Sequence, residues 1–236
     1  MISSFARASR VLNDAEFEKK AICAADFIFN NLFDDFGRLL RRWRDGEARF
    51  PAYLCDHAQL SVACLDIYET TYNPAWFQKA VELSDKINQL FRSAEGPYYD
   101  TGADCDTLLT RNAEGYDGVE PSGNSSLAHA FLRLRAYGLE PQYYDDAQRV
   151  FQSFAPQLEQ AGVSFSAMLG GLHLSLSVAK EVVISGRRGE PETELLLDEL
   201  RREYHPNIVV SFVENGESSE TGKIIPLASG RAMLND

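Results

Sequence analysis

Apolar side chains recur at intervals of three and four residues from the start of the chain to about Ser177, the period of helices that bury one face. Three segments in this region share a punctuation: "LNDAEFEKKA", "YNPAWFQKA" and "LEPQYYDDA". In each, an acidic residue, an Asn, or a Pro near the first helical position starts a helix. An aromatic follows (Phe17, Trp76 or Tyr143), and four residues later comes Ala21, Ala80 or Ala147. Such an i, i+4 pair sets a large and a small side chain on one face, as close helix packing requires. The copies lie 59 and 67 residues apart, longer than the helix pair of a roughly 34-residue tetratricopeptide unit.

The connectors account for the extra length. "RLLRRWRDGEARF" holds two short strand-like runs around Asp45-Gly46, a dipeptide that tolerates positive φ at both turn positions and so predicts a hairpin. "PYYDTGADCDTLLTR" has the same strand, turn, strand pattern one unit later, and "VSF" is its collapsed form in the third. Gly37, Gly96 and Gly162 are expected at the C′ positions that end the first helix of each pair. The second helices start at "YLCDHAQLSVACLDIY", "SGNSSLAHAFLRLRAY" and "SAMLGGLHLSLS"; they are apolar on most faces and poor in charge, which makes them the inner ring of an α/α toroid or solenoid.

From about residue 179 the pattern changes. "KEVVISG" is a β-branched run ending in Gly, "ETELLLDELRREY" an amphipathic helix, and "HPNIVVSFV" a second strand. These predict one βαβ unit with a parallel strand pair. The expected division is residues 1–178 for the helical part and 179–236 for the βαβ unit and tail. No G-x-G-x-x-G follows the first strand, so nothing here points to a dinucleotide.

Composition narrows the partners. The 236 residues are 44% hydrophobic and carry a formal net charge of −12, which disfavours nucleic acid and anionic membranes as partners. Cys23, Cys55, Cys64 and Cys105 form no C-x-x-C pair and no cluster with His; reduced thiols in a cytoplasmic protein are the expectation. Neither a secretory leader nor a run long enough to span a bilayer is visible, and both ends read as cuts through a longer chain. No metal motif, P-loop or Ser-His-Asp set appears, so neither a metal nor a cofactor is expected.

Candidate chemistry gathers at the tips where the inner helices start. In "GYDGVEPSGNSSLAHAF", Ser122 or Asn124 can cap a helix, which leaves Tyr116, Asp117 and Glu120 to be explained. In "PAYLCDHAQL", Asp56 can cap and His57, with an ordinary pKa near neutrality, can act as a base. On the neighbouring hairpin, strand alternation sets Arg42 and Arg44 on one face and Arg41 and Trp43 on the other; Trp43 could stack on a sugar and Arg42 could bind hydroxyls or a carboxylate. His129 and His173 lie within inner helices and become candidates only if that ring faces a polar cavity. Capping and surface ion pairing are the commoner explanation for most of these residues.

"RDGEARFPAYLCDHAQL", "YDGVEPSGNSS" and "KEVVISG", in this order, resemble the C-terminal region of the thioredoxin-domain-containing, spermatogenesis-associated protein family. The resemblance implies an (α/α)6 barrel similar to those of N-acylglucosamine 2-epimerases and six-hairpin glycosidases, preceded in family members by a thioredoxin-like domain. This chain has no such domain or redox cysteine motif, and lacks the first barrel helices and the family's Cys-containing final segment. The expectation is therefore a partial toroid with a βαβ appendage that binds or modifies carbohydrate. His57, Asp56 and Asp117 would be its catalytic groups, and Arg42, Trp43, Tyr116, Ser122 and Asn124 would bind the sugar. If the reaction is an isomerisation, His57 is the base and Arg42 stabilises the enolate. The alternative is a non-enzymatic scaffold that docks a thioredoxin-like domain, another protein or a second copy of itself.

Overall fold

The computed structural model describes residues 1–94, 96–106, 109–214 and 220–232. It is mainly helical. The helices are α1 (Ile2–Leu12), α2 (Ala15–Asn31), α3 (Leu54–Thr71), α4 (Pro74–Leu90), α5 (Gly123–Ala136), α6 (Gln142–Ala161) and α7 (Ser166–Leu176). A 3-10 turn, Gly162–Phe165, joins α6 to α7. The chain continues as β3 (Lys180–Gly186), α8 (Pro191–Arg202), β4 (Ile208–Glu214) and the short α9 (Glu220–Ile224). Strands β1 (Leu40–Arg44) and β2 (Glu47–Pro51) lie between α2 and α3.

The helices form two layers. α1, α3, α5 and α7 pack side by side, and α2, α4 and α6 each run back against the member that precedes them. Sequence chemistry sets the starts. The Asp14 and Asn73 side chains accept from the amides two residues on, and Pro74 follows at a position whose missing N–H costs nothing. Ala21, Ala80 and Ala147 are buried, so the back helices press their small residues against the front layer as the repeat predicts. Helices of the front layer are parallel: Pro121 before α5 meets Gln59 near the start of α3, and Tyr137 after α5 meets Glu69 near the end of α3. Gly123 permits the contact at the starting end, because a Cβ there would lie 2.8 Å from Leu54 Cγ and 2.9 Å from the Cys55 amide nitrogen.

The Asp45-Gly46 hairpin forms as expected, with φ of +53° and +81° and antiparallel pairs from Leu40↔Pro51 to Arg44↔Glu47. The βαβ unit also forms. β3 and β4 pair in parallel from Lys180↔Ile208 to Gly186↔Glu214, and Tyr72, Ile184, Leu197 and Phe212 form a core of their own. β4 seats on the ends of the front helices: the Tyr68 and Ser211 hydroxyls are 2.7 Å apart, and Tyr137 Oη lies 3.2 Å from the Val210 carbonyl.

Two local expectations are corrected. α2 and α4 end at Leu32 and Phe91, well before Gly37 and Gly96. Those glycines, with φ of +72° and +136°, sit inside turns closed by the bridges Phe33↔Leu39 and Arg92↔Tyr98, while Gly162 has an ordinary helical φ of −50°. The left-handed backbone was needed by a turn, not by a helix end. The second correction concerns the segment after α4. Among its described residues no strand pair forms; Asp100 and Arg111 hold it as a loop, with Arg111 donating to the carbonyls of Leu90 and Thr101. Thr107 and Leu108 of that segment lie outside the described residues.

Candidate functional site

At the starting end of the front layer, the predicted site residues are engaged by the protein itself. His57 is 1% exposed. Arg38 Nη1 stands 3.0 Å from His57 Nε2, and since a guanidinium only donates, Nε2 must accept. The ring proton is then on Nδ1, donated to the Tyr53 carbonyl at 3.0 Å. Burial, reinforced by Arg38, pulls the imidazole pKa down to about 4. Both ring nitrogens are therefore committed, and His57 is held as a neutral structural side chain rather than presented as a base. Asp56 accepts from the Tyr53 amide at 2.8 Å, which caps α3, and pairs with Arg41 at 3.4 Å.

Asp117 and Asn124 are committed just as fully. Asp117 Oδ1 accepts from the Ser122 amide, and Oδ2 accepts from the Ala167 and Met168 amides, so one carboxylate ties the starts of α5 and α7 together. Asn124 is fully buried; its amide accepts from the Tyr98 N–H and donates to the carbonyls of Tyr98 and Glu114. Ser122 caps α5 by accepting from the Ser125 amide. Of the remaining candidates, Tyr116 is exposed, Arg42 lies over the Phe50 ring, and Trp43 meets Phe27 edge-on. Within "GYDGVEPSGNSS", Asp117, Ser122 and Asn124 thus cap or tether helices and loops.

A different arrangement occupies the other end. Between the closing turns of the front helices and the βαβ unit lies a cavity of about 650 Å³. One wall is a chain of ion pairs across three helices. Arg7 of α1 meets Asp66 of α3 through two hydrogen bonds of 3.1 and 3.2 Å, and Arg133 of α5 meets the same carboxylate at 2.9 Å. One turn further on, Glu69 receives Arg133 at 2.9 Å, Arg10 at 2.8 Å and the Tyr137 hydroxyl at 2.9 Å. Burial alone would raise the Glu69 pKa, but Arg133 and Arg10 outweigh it and bring it down to about 2. Tyr72, Leu132, Leu174 and Leu197 supply apolar wall.

His129 lines this cavity, which meets the condition set for it by sequence. Its Nε2 lies 2.8 Å from the Ala167 carbonyl. A carbonyl only accepts, so Nε2 carries the proton, and the lone pair of the neutral ring is on Nδ1. Burial lowers the imidazole pKa, and Arg133 and Arg7 lower it further. Sequence reasoning passed over Arg7, Asp66 and Arg133, although a signal was present. They are 59 and 67 residues apart, the spacing of the repeat itself, and each precedes the aromatic of its unit by ten residues. Among the described residues no His, Cys, Asp and Glu group could hold a metal ion, and no helix is long and apolar enough to cross a membrane.

Comparison with known proteins places these features in a wider setting. The chain is 28% identical over its whole length to human spermatogenesis-associated protein 20 and 29% identical to the rat protein of that name. It is 25% identical, over 92% of its length, to an uncharacterized Caenorhabditis elegans protein. These matches support a relationship to the spermatogenesis-associated protein 20 family. The chain spans 31% of the length of the human and rat relatives, and no protein-family model matches it.

Proposed function

We propose that this chain is a small-molecule binding domain, part of an α/α toroid, whose ligand is a carbohydrate held in the cavity at the closing ends of the front helices. The observation that carries this reading is the cavity itself: about 650 Å³, walled by fixed guanidinium and carboxylate groups on one side and apolar side chains on the other. That combination suits a sugar, which offers hydroxyls to bidentate groups and C–H faces to apolar ones. The starting-end set fits less well, because the polar atoms of His57, Asp56, Asp117 and Asn124 already bond within the protein. If the domain modifies its sugar, isomerisation next to a carbonyl is the reaction class we favour. The Nδ1 of His129 would accept the proton and Arg7 would stabilise the enolate.

A sugar panel read by thermal shift and calorimetry tests the proposal. At least one neutral hexose or N-acylhexosamine should raise the melting temperature, and Ala136→Trp, which fills the cavity from α5, should abolish the shift. No shift with any sugar would sink it. The scaffold reading draws on one observation, the exposed apolar residues Val11 and Leu12 in the last turn of α1 and Leu176 and Val178 at and just beyond the end of α7. A concentration-dependent mass increase, or saturable binding of a thioredoxin-like domain, combined with an empty sugar panel would favour it.

A further inference from the structure

Resting on the cavity reading just given, we infer that the ligand is an anionic sugar, one that bears a carboxylate or a phosphate. Six arginines and four carboxylates line the cavity, an excess of two positive charges in a chain whose formal net charge is −12. The ion-pair wall has the same bias, with Arg7, Arg10 and Arg133 facing only Asp66 and Glu69. Each of the three is paired, but Arg7 shares Asp66 with Arg133 and is the most exposed of them, so it is the guanidinium open to a further anion.

The opposite wall carries a donor with nothing to donate to. Arg201 of α8 lines the cavity with its side chain 20% exposed, and its Nε is buried without a hydrogen-bond partner among the described residues. Its Nη1 reaches only Asp198, at 3.4 Å. Arg7 lines the same cavity from α1, and its side chain remains 57% exposed despite its pairing with Asp66. An anionic oxygen group entering the cavity would pair with the exposed Arg7 or satisfy the idle N–H of Arg201, by the two-pronged contact that guanidinium makes with carboxylate and phosphate. The neutral part of the sugar would lie along the apolar wall of Leu132 and Leu174.

Calorimetry on the 236-residue chain with glucose, glucuronate, glucose 6-phosphate and inorganic phosphate tests this. Glucuronate or glucose 6-phosphate should bind about tenfold or more tightly than glucose at low ionic strength, with the gap narrowing in salt. Arg201→Gln should remove the gap. Arg7→Gln should narrow the same gap if the first variant folds poorly, and Lys19→Gln, on the exposed face of α2, should change nothing. Equal binding of glucose and glucuronate overturns the charge inference and leaves the cavity reading standing. Binding of no sugar overturns both, and inorganic phosphate as tight as glucose 6-phosphate overturns the sugar class.

Discussion

The two ends of the front helices use polar residues in opposite ways. At the starting end, Asp56, Asp117, Ser122, Asn124 and His57 bond mainly to backbone amides and carbonyls of nearby loops and helix tips. At the closing end, Arg7, Asp66, Glu69 and Arg133 bond to one another around open volume. A side chain whose atoms are all taken by the backbone sets a chain path. Side chains that fix each other leave faces free for something else. The contrast teaches that turn-rich, polar helix starts mark construction, while the ion pairs that border open volume lie where the sequence is locally plainer.

Three experiments would break or sharpen that contrast. The largest effect is expected from Glu69→Ala, which strips Arg133, Arg10 and the Tyr137 hydroxyl of their shared acceptor. Breaking a buried pair of this kind should lower stability in urea by about 3–5 kcal/mol. A loss below about 1 kcal/mol would make the wall no better than a surface pair.

Acid should then separate the two ends. The His57 pKa falls from 6.5 to about 4 on folding, so the unfolded chain binds the extra proton between these values and stability drops as pH falls through that window. The full span amounts to about 3 kcal/mol, and His57→Gln should flatten the slope. Glu69, whose pKa falls from 4.5 to about 2, contributes stability above pH 4.5 that is lost only as pH falls toward 2. Equilibrium unfolding at a series of pH values would show a single late loss if His57 were not held neutral. The smallest effect belongs to Arg42→Ala on the exposed hairpin, which should alter stability by no more than about 0.5 kcal/mol and leave sugar affinity unchanged. Loss of sugar binding in this variant would move the site back to the starting end.

Much of the architecture was legible in the residues. The aromatic–Ala pairs, Asp45-Gly46, and the run of strand, helix and strand after residue 179 are local patterns with local causes, and each forms. Gly37 and Gly96 misled because a left-handed glycine serves a helix end and a tight turn equally well. The candidate site was harder. His57 is silenced by Arg38, 19 residues away, and Asp117 spends its carboxylate on amides 50 and 51 residues further on. Their local partners, Tyr53 and Ser122, could be read nearby, but nothing near those residues encodes the distant ones. The cavity arises only when β4 folds back onto Tyr68 and Tyr137, a contact spanning 143 residues in the first case. The ion-pair wall was the exception: laying the repeats over one another would have aligned Arg7, Asp66 and Arg133.

That alignment carries a consequence for how such a chain can vary. Matching positions on three neighbouring parallel helices read plus, minus, plus, so the helical pairs are similar in shape but not interchangeable in sign. Duplicating or deleting the middle pair would set like charges against each other at the heart of the layer. The repeat therefore has a fixed order, and its copy number cannot drift by single steps as it can in arrays whose seams are apolar.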